Sequence, residues 1–204
     1  MLLNIIHPYT FKIRSNVKGN TLVIGPVKDF KERDEKVSKL IKQVIDSDNR
    51  ALVQMYHGGN PMEFSMQEAA LLADPLYEQV LSLSNAVTTP YGVPIPDKKP
   101  ENADETTWAY LQKIYSTHSE LKEKVGHPDS ALFIGGAMEA CLYNGLIYYN
   151  EHFRNGEKVF YVPELSVCLN QNQFEELKPN LDKLKILALS FEEAMELAGK
   201  GRGK

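Results

Sequence analysis

Apolar residues follow two patterns along this chain, short continuous runs and longer stretches with helical spacing. The short runs predict buried strands, at residues 21–25, 50–56, 131–134, 158–162 and 185–189. The helical spacing predicts the longer elements between them, at residues 31–46, 104–125, 139–153, 173–184 and 191–198. The fourth of these helices is expected to be interrupted or to end near Pro179, because proline cannot donate the helical hydrogen bond.

Strands that are separated by helices of this length indicate β-α-β units and a mainly parallel sheet covered on both faces. The predicted fold class is therefore α/β, a three-layer α/β/α sandwich in one domain over residues 21–198. Residues 1–20 are expected to form an N-terminal extension, in which Leu2–Ile6 and Phe11–Arg14 make a hairpin or an edge strand. The glycine-rich basic tail at 199–204 is expected to be flexible.

Composition narrows the class of protein. The 204 residues carry 23 basic and 27 acidic side chains, a net charge of −4, which argues against a nucleic-acid partner. No apolar run approaches the roughly 18 residues of a membrane span, so no membrane partner is expected. Two cysteines, Cys141 and Cys168, give neither a disulfide framework nor metal-type spacing. A cytoplasmic protein is the resulting expectation.

The most informative stretch is residues 131–141, where an apolar strand breaks at Gly135-Gly136 and Cys141 follows where a helix should begin. A thiol at a helix N-terminus meets unpaired N–H groups and the positive end of the helix dipole, which favour the reactive thiolate. The alternative is a small buried cysteine that packs a helix against the sheet. Ligands of parallel sheets bind beyond the carboxyl ends of the strands, where Gly25–Phe30, Tyr56-His57 and Gly135–Cys141 are expected to converge.

Three segments carry a resemblance to a known family. Ile134-Gly-Gly-Ala-Met-Glu-Ala-Cys141, followed by a helix, a glycine and an apolar strand, resembles the nucleophile region of the isochorismatase-like cysteine hydrolases. This superfamily includes nicotinamidases and N-carbamoylsarcosine amidases. Leu22–Phe30 is similar to the family's first strand, and Ala86–Gly92 to the turn before its catalytic lysine. The resemblance spans most of residues 21–190.

The resemblance implies a set of site residues. Cys141 would be the nucleophile, with the N–H groups of Ala137 and Cys141 as oxyanion hole, and a cis peptide would lie between Gly136 and Ala137. Lys98 and Lys99 fall in the loop where the family's lysine is expected, although a solvated pair of lysines is the simpler reading. Trp108 would line the pocket or pack its helix. No cofactor is expected.

The resemblance does not extend to the family's catalytic base, because the matching position in this sequence holds no acidic residue. The matching aspartate position is Gly25, followed by Pro26, and Asp29 four residues on is more simply a helix cap or a solvated acid. Glu139 would favour a helix N-terminus, and its charge would raise the thiol pKa. His57, placed as a pocket residue, is not enough for zinc, which takes three or four protein ligands, so no metal is expected.

Three hypotheses remain. The first is a divergent cysteine hydrolase that cleaves a carbon–nitrogen bond of a small amide through a thioester at Cys141. The second is a catalytically impaired pseudoenzyme that binds a ligand or a partner, since loss of a triad member costs orders of magnitude in rate. The third is a phosphate-binding protein that uses Gly135-Gly136 at a helix N-terminus. The family implies a homo-oligomer, a dimer or tetramer, and Tyr149 and Phe153 are either core or interface residues.

Overall fold

The computed structural model describes residues 1–6, 30–55, 87–89 and 92–200. Its strands are β1 (Leu2–Ile6), β2 (Arg50–Met55), β3 (Val87–Thr88), β4 (Ser130–Gly136), β5 (Lys158–Val167) and β6 (Ile186–Ala188). Its helices are α1 (Phe30–Asp46), α2 (Glu105–Ile114), α3 (His118–Val125), α4 (Cys141–His152), α5 (Gln171–Lys183) and α6 (Phe191–Gly199). Among these helices, none combines the length and the apolar content that crossing a membrane requires.

The six strands form one parallel sheet in the order β3-β2-β1-β4-β5-β6. The chain therefore builds outward from β1 to β3, returns to β4 beside β1, and builds outward again to β6. The boundary between β1 and β4 is the topological switch point, where parallel sheets open a crevice for ligands.

Helices cover both faces of the sheet. Alternate residues of β1 point to opposite faces, so Leu3 and Ile5 pack with the apolar stripe of α1 and with α6. Leu2 and Ile6 pack on the other side with α3, α4 and α5. The predicted three-layer α/β/α sandwich with a parallel sheet is confirmed.

The prediction for Leu2–Ile6 is wrong in its placement, because this segment is neither an edge strand nor part of a hairpin. It pairs with β2 on one side, through Leu2 and Arg50, and with β4 on the other, through Leu2 and Ala131. All five of its residues are buried, as expected for a strand in the middle of a covered sheet. The predicted strands at 11–14 and 21–25 lie outside the described residues.

Two helix predictions also need correction. The helix expected over 104–125 is divided into α2 and α3, because Thr117 begins a new helix with a capping box to Glu120. At the break, the N–H of Ile95 donates a hydrogen bond to the carbonyl of Ser116, and the N–H of His118 donates one to the carbonyl of Ile95, so these groups are not bonded within a continuous helix. The helix predicted over 173–184, to be interrupted or to end near Pro179, instead runs continuously through Pro179 from Gln171 to Lys183.

Tyr149 belongs to the core rather than to an interface. Its side chain is 3% exposed, its ring packs edge-on against Phe133 of β4, and its hydroxyl donates a 2.6 Å hydrogen bond to Glu157. Phe153, next to it, is partly buried against the same core cluster. The interface reading of Tyr149 is therefore wrong.

Candidate active site

Cys141 lies where β4 gives way to α4. The strand ends at Gly136, and α4 begins at Cys141, two residues later than the helix predicted over 139–153. Because β4 is the strand beside β1 at the switch point, the half-buried thiol stands over the carboxyl ends of the two central strands. The helix has no side-chain cap at its N-terminus, and the carbonyl oxygen of Ala137 instead accepts from the N–H groups of Ala140 and Leu142, each at 3.0 Å.

Two backbone N–H groups face the sulfur of Cys141. Those of Ala137 and of Cys141 itself hydrogen-bond with the thiol group and lower its pKa. They are the same pair that the resemblance implied as an oxyanion hole. The Gly136-Ala137 peptide bond between strand and loop is cis, at the position that the resemblance implied.

The thiol is nevertheless held in its neutral form. Burial raises the pKa of Cys141 above the ordinary 9.0, and the Glu139 carboxylate raises it further, while the two N–H groups oppose this shift only in part. Burial acts because a thiolate loses solvation in an apolar setting. The described surroundings of Cys141 therefore favour the neutral thiol over the thiolate.

The segment after β3 contacts the start of α4. Gly92 has a φ of +71°, and a Cβ there would lie 3.0 Å from the carbonyl oxygen of Cys141 and 3.1 Å from the Cα of Gly145. Only a glycine allows this left-handed turn to touch the first turns of α4 so closely. The position of Gly92 thus ties the segment that resembles the family's lysine turn directly to the Cys141 backbone.

Glu139, between the cis peptide and the cysteine, is committed to other partners. Its carboxylate is 7% exposed and accepts hydrogen bonds from the N–H groups of Leu169 and Asn170, at the start of α5. Carboxylates are favoured at helix N-termini, so the expected electrostatic role holds, but for α5 rather than for α4. Glu139 is not free to act as a base.

The second cysteine belongs to a neighbouring surface. Cys168 is buried, and desolvation together with Glu139 raises its pKa to about 11. It lines a cleft of about 470 Å³ at the carboxyl end of β5, together with Arg33, Glu164 and Phe174. Met138 contributes to this cleft from the loop before Cys141, whereas Cys141 does not line it.

The two candidate lysines have different surroundings. The Lys99 ammonium forms an ion pair with Glu105 at 2.9 Å and donates to the carbonyl of Ala103 at 3.0 Å, at the start of α2. Lys98 is exposed. Neither is among the groups that shift the thiol pKa. Trp108 is buried in α2. A part for any of these three residues in the site stays a prediction.

Three further candidates, Gly25, Asp29 and His57, lie outside the described residues. The strand between β2 and β4 is β1, which begins twenty residues before the segment that resembles the family's first strand. Within the ranges that the structure describes, no group of three His, Cys, Asp or Glu side chains is placed to hold a metal ion.

The link between Glu139 and α5 is the part of the site that sequence reasoning missed. Asn170 caps α5 by accepting from the N–H of Gln173 at 3.2 Å, and an Asn three residues before a Gln is a recognisable start signal. That signal could have placed the start of α5 at Gln171. It carries no information about a carboxylate thirty residues earlier in the chain.

Comparison with known proteins identifies the fold. Neither the protein-family models nor the curated protein sequences give a match. Among solved structures, PnC1 from L. infantum in complex with nicotinate has a TM-score of 0.57 at 11% identity, over 95% of this chain and 93% of that one. Yeast nicotinamidase Pnc1p has a TM-score of 0.55 at 13% identity, over 93% and 99%. A structure described as an isochorismatase hydrolase from Oleispira antarctica has 0.51 at 10% identity, over 96% and 95%.

These identities are low, and they establish architecture rather than activity. In each of the three comparisons the match covers at least 93% of both chains. The chain has the isochorismatase-like fold, in a divergent form.

Proposed function

We propose that this protein is a hydrolase of a carbon–nitrogen bond in a small amide, with Cys141 as the nucleophile. The observation that carries the proposal is the pair of N–H groups, from Ala137 and Cys141, that face the thiol at the switch point. Such a pair stabilises the oxyanion that forms when a nucleophile adds to a carbonyl carbon. The solved structures with this fold include a nicotinamidase and a complex with nicotinate, which makes nicotinamide the first probe.

The reaction takes place in two stages. The sulfur adds to the carbonyl carbon, the carbonyl oxygen takes the negative charge between the two N–H groups, and the C–N bond breaks. The proton that leaves the thiol is delivered to the departing nitrogen, so an amide releases ammonia and leaves an acyl group as a thioester on Cys141. Water then adds to the thioester, and the acid and the free thiol are regenerated.

Attack needs a base at the moment of reaction, because the resting thiol is protonated. Glu139 cannot supply it, since both of its oxygens are engaged by the start of α5. Within the described residues, Glu139 is the only carboxylate that acts on the thiol.

Ammonia release tests the proposal. Wild type, Cys141→Ala and Cys168→Ser are incubated with nicotinamide and a panel of other small primary amides, and ammonia is measured. The expected result is release by wild type and by the Cys168 variant, with loss of at least about a hundredfold in the Cys141 variant. Release that survives in Cys141→Ala would assign the chemistry to another group.

A second candidate function is ligand binding without turnover, and the raised pKa of Cys141 favours it. In that case an amide would bind at the N–H pair and would not react. Isothermal titration calorimetry with the same panel separates the two functions. Saturable heat that is lost with a bulky Cys141→Leu side chain, with no ammonia from any amide, would select the binding function.

Two expectations from the sequence stay predictions. A homo-oligomer, either a dimer or a tetramer, is proposed from the resemblance, and sedimentation equilibrium of the full chain measures it. A cytoplasmic location is proposed from composition and cysteine usage, and fractionation of the source cells measures it.

A further inference from the structure

The Glu139 side chain joins two loops that meet at the carboxyl ends of β4 and β5. Its Oε1 lies 3.0 Å from the N of Leu169 and 2.9 Å from the N of Asn170, and its Oε2 lies 3.2 Å from the N of Leu169. A buried carboxylate that accepts charge-assisted bonds from two N–H groups is held firmly in place. It is also costly to release, since an unpaired buried charge would remain.

The same loop is tied a second time nearby. The N–H of Met138 donates to the carbonyl oxygen of Val167 at 2.8 Å, directly before Cys168. The two ties hold the middle of the loop between the cis peptide and α4. On one side of them stands the N–H of Ala137, and on the other side stand the N–H and the sulfur of Cys141.

We infer that Glu139 is a positioning residue, which holds the Ala137–Cys141 loop against the start of α5 so that both N–H groups face the Cys141 sulfur. The inference rests on the proposed function only in taking Cys141 as the reacting group. Among the described residues the Glu139 carboxylate hydrogen-bonds with the N–H groups of Leu169 and Asn170 and with the Cys168 side chain, and it acts on Cys141 through its charge and through the loop.

The negative charge of Glu139 and the length of its side chain have opposite effects on the Cys141 thiolate. Its negative charge disfavours the thiolate, whereas the loop geometry that it fixes favours the thiolate through the two N–H groups. A single substitution would mix the two effects. Two pairs of proteins separate the two effects. The members of each pair carry the same charge, and they differ in whether the side chain is long enough to accept from the N–H groups of Leu169 and Asn170.

The first pair is wild type and Glu139→Asp, both with a carboxylate, the latter one methylene shorter. The second pair is Glu139→Gln and Glu139→Ala, both neutral, of which only glutamine keeps an oxygen at the position of Oε1. Iodoacetamide is the probe, and peptide mass spectrometry counts the adduct on Cys141 separately from that on Cys168 across pH. Alkylation needs no turnover, so failure of the amide reaction and failure of this inference are distinguishable.

The positioning role predicts that the shorter member of each pair has the higher alkylation midpoint, by about half a pH unit or more. It also predicts that the Leu169 and Asn170 amides lose protection from hydrogen exchange in Glu139→Ala and keep most of it in Glu139→Gln. Equal midpoints within both pairs would overturn the inference. If Glu139→Ala does not fold, the first pair decides alone.

Glu157→Ala is the matched control. Glu157 is another buried carboxylate, and it accepts from the Tyr149 hydroxyl and from the N–H of Asn155, at the far end of α4. Its loss should destabilise the protein to a similar degree and leave the Cys141 midpoint where it is in wild type. A comparable upward shift in this variant would show that the midpoint follows general stability, and it would overturn the inference.

Discussion

A Cβ atom on Gly135 would lie 1.8 Å from the carbonyl oxygen of Ile6. The two residues are partners in the parallel pairing of β1 with β4, and Gly135 has a φ of +114°. A side chain at Gly135 would therefore overlap the backbone of β1 at this close approach of the two strands. This approach places the end of the N-terminal strand directly beside the turn that leads to Cys141.

Gly135→Ala should unfold the protein or cost more than about 3 kcal/mol, since the left-handed backbone and the overlap with Ile6 both oppose a side chain. Urea unfolding followed by circular dichroism measures the loss. Gly156→Ala is the comparison, because it also has a positive φ but meets no atom within 4 Å. A Gly135 variant as stable as the Gly156 variant would contradict the tight approach of β1 and β4.

The pair formed by Asn4 and Gln54 predicts a coupling between two neighbouring strands. Both side chains are buried, Gln54 Nε2 lies 3.5 Å from Asn4 Oδ1, and Asn4 Nδ2 and Gln54 Oε1 find no partner among the residues that the structure describes. Replacing one side chain leaves the other unsatisfied, so Asn4→Leu and Gln54→Met should each cost about 1–3 kcal/mol. The double variant should be at least as stable as wild type.

Urea unfolding of the four proteins completes this double-mutant cycle. Additive losses in the double variant would mean that the two amides are stabilised independently, and that the pairing described here does not hold.

Tyr149 predicts a loss of stability in alkali. Burial raises its pKa above the ordinary 10.0, and the hydrogen bond to Glu157 raises it further. Above pH 10 the unfolded chain releases this proton while the folded protein keeps it, so the free energy of unfolding falls as pH rises, by up to about 1.4 kcal/mol per pH unit. Tyr148, whose pKa burial raises to about 12, acts in the same direction.

Tyr149→Phe should make the fall above pH 10 shallower, although it lowers stability at neutral pH by about 1–3 kcal/mol through the lost bond to Glu157. Urea titrations between pH 8 and pH 11 measure both effects. An unchanged slope in the variant would contradict a buried Tyr149 hydroxyl.

The thiol environment predicts slow alkylation at neutral pH. Because burial and Glu139 raise the pKa of Cys141, its reaction with iodoacetamide in the free protein should have a midpoint above pH 9.0. The Cys168 midpoint should be higher still, since its pKa is about 11. A Cys141 midpoint near 7 would mean that a cationic group from the rest of the chain reaches the sulfur, as an activated nucleophile requires.

Much of the fold could be predicted from local patterns, and the failures are non-local. The apolar run Leu2–Ile6 predicts a strand, but its neighbours at Arg50 and Ala131 are set by pairing across the chain, so its central position could not be read from it. The break between α2 and α3 was within reach, since Thr117 and Glu120 have the spacing of a capping box. The long apolar pattern on either side concealed it.

The candidate site also has a part that local sequence patterns predict and a part that they do not. The start of α4 at Cys141 follows from the strand, the two glycines and the helical spacing around it, all within about ten residues. The partners of Glu139 lie thirty and thirty-one residues later, and those of Gly92 lie on α4. Contacts of that separation depend on the register of the whole sheet. No local pattern encodes them.

The most direct test of the account is a search for the acyl group on Cys141. The protein is mixed with each amide of the panel, quenched in acid within its first turnovers, and digested for peptide mass spectrometry. The account predicts a thioester on the Cys141 peptide, none on the Cys168 peptide, and none in Cys141→Ala. Ammonia release without an adduct on Cys141, or no adduct with any amide of the panel, would contradict it.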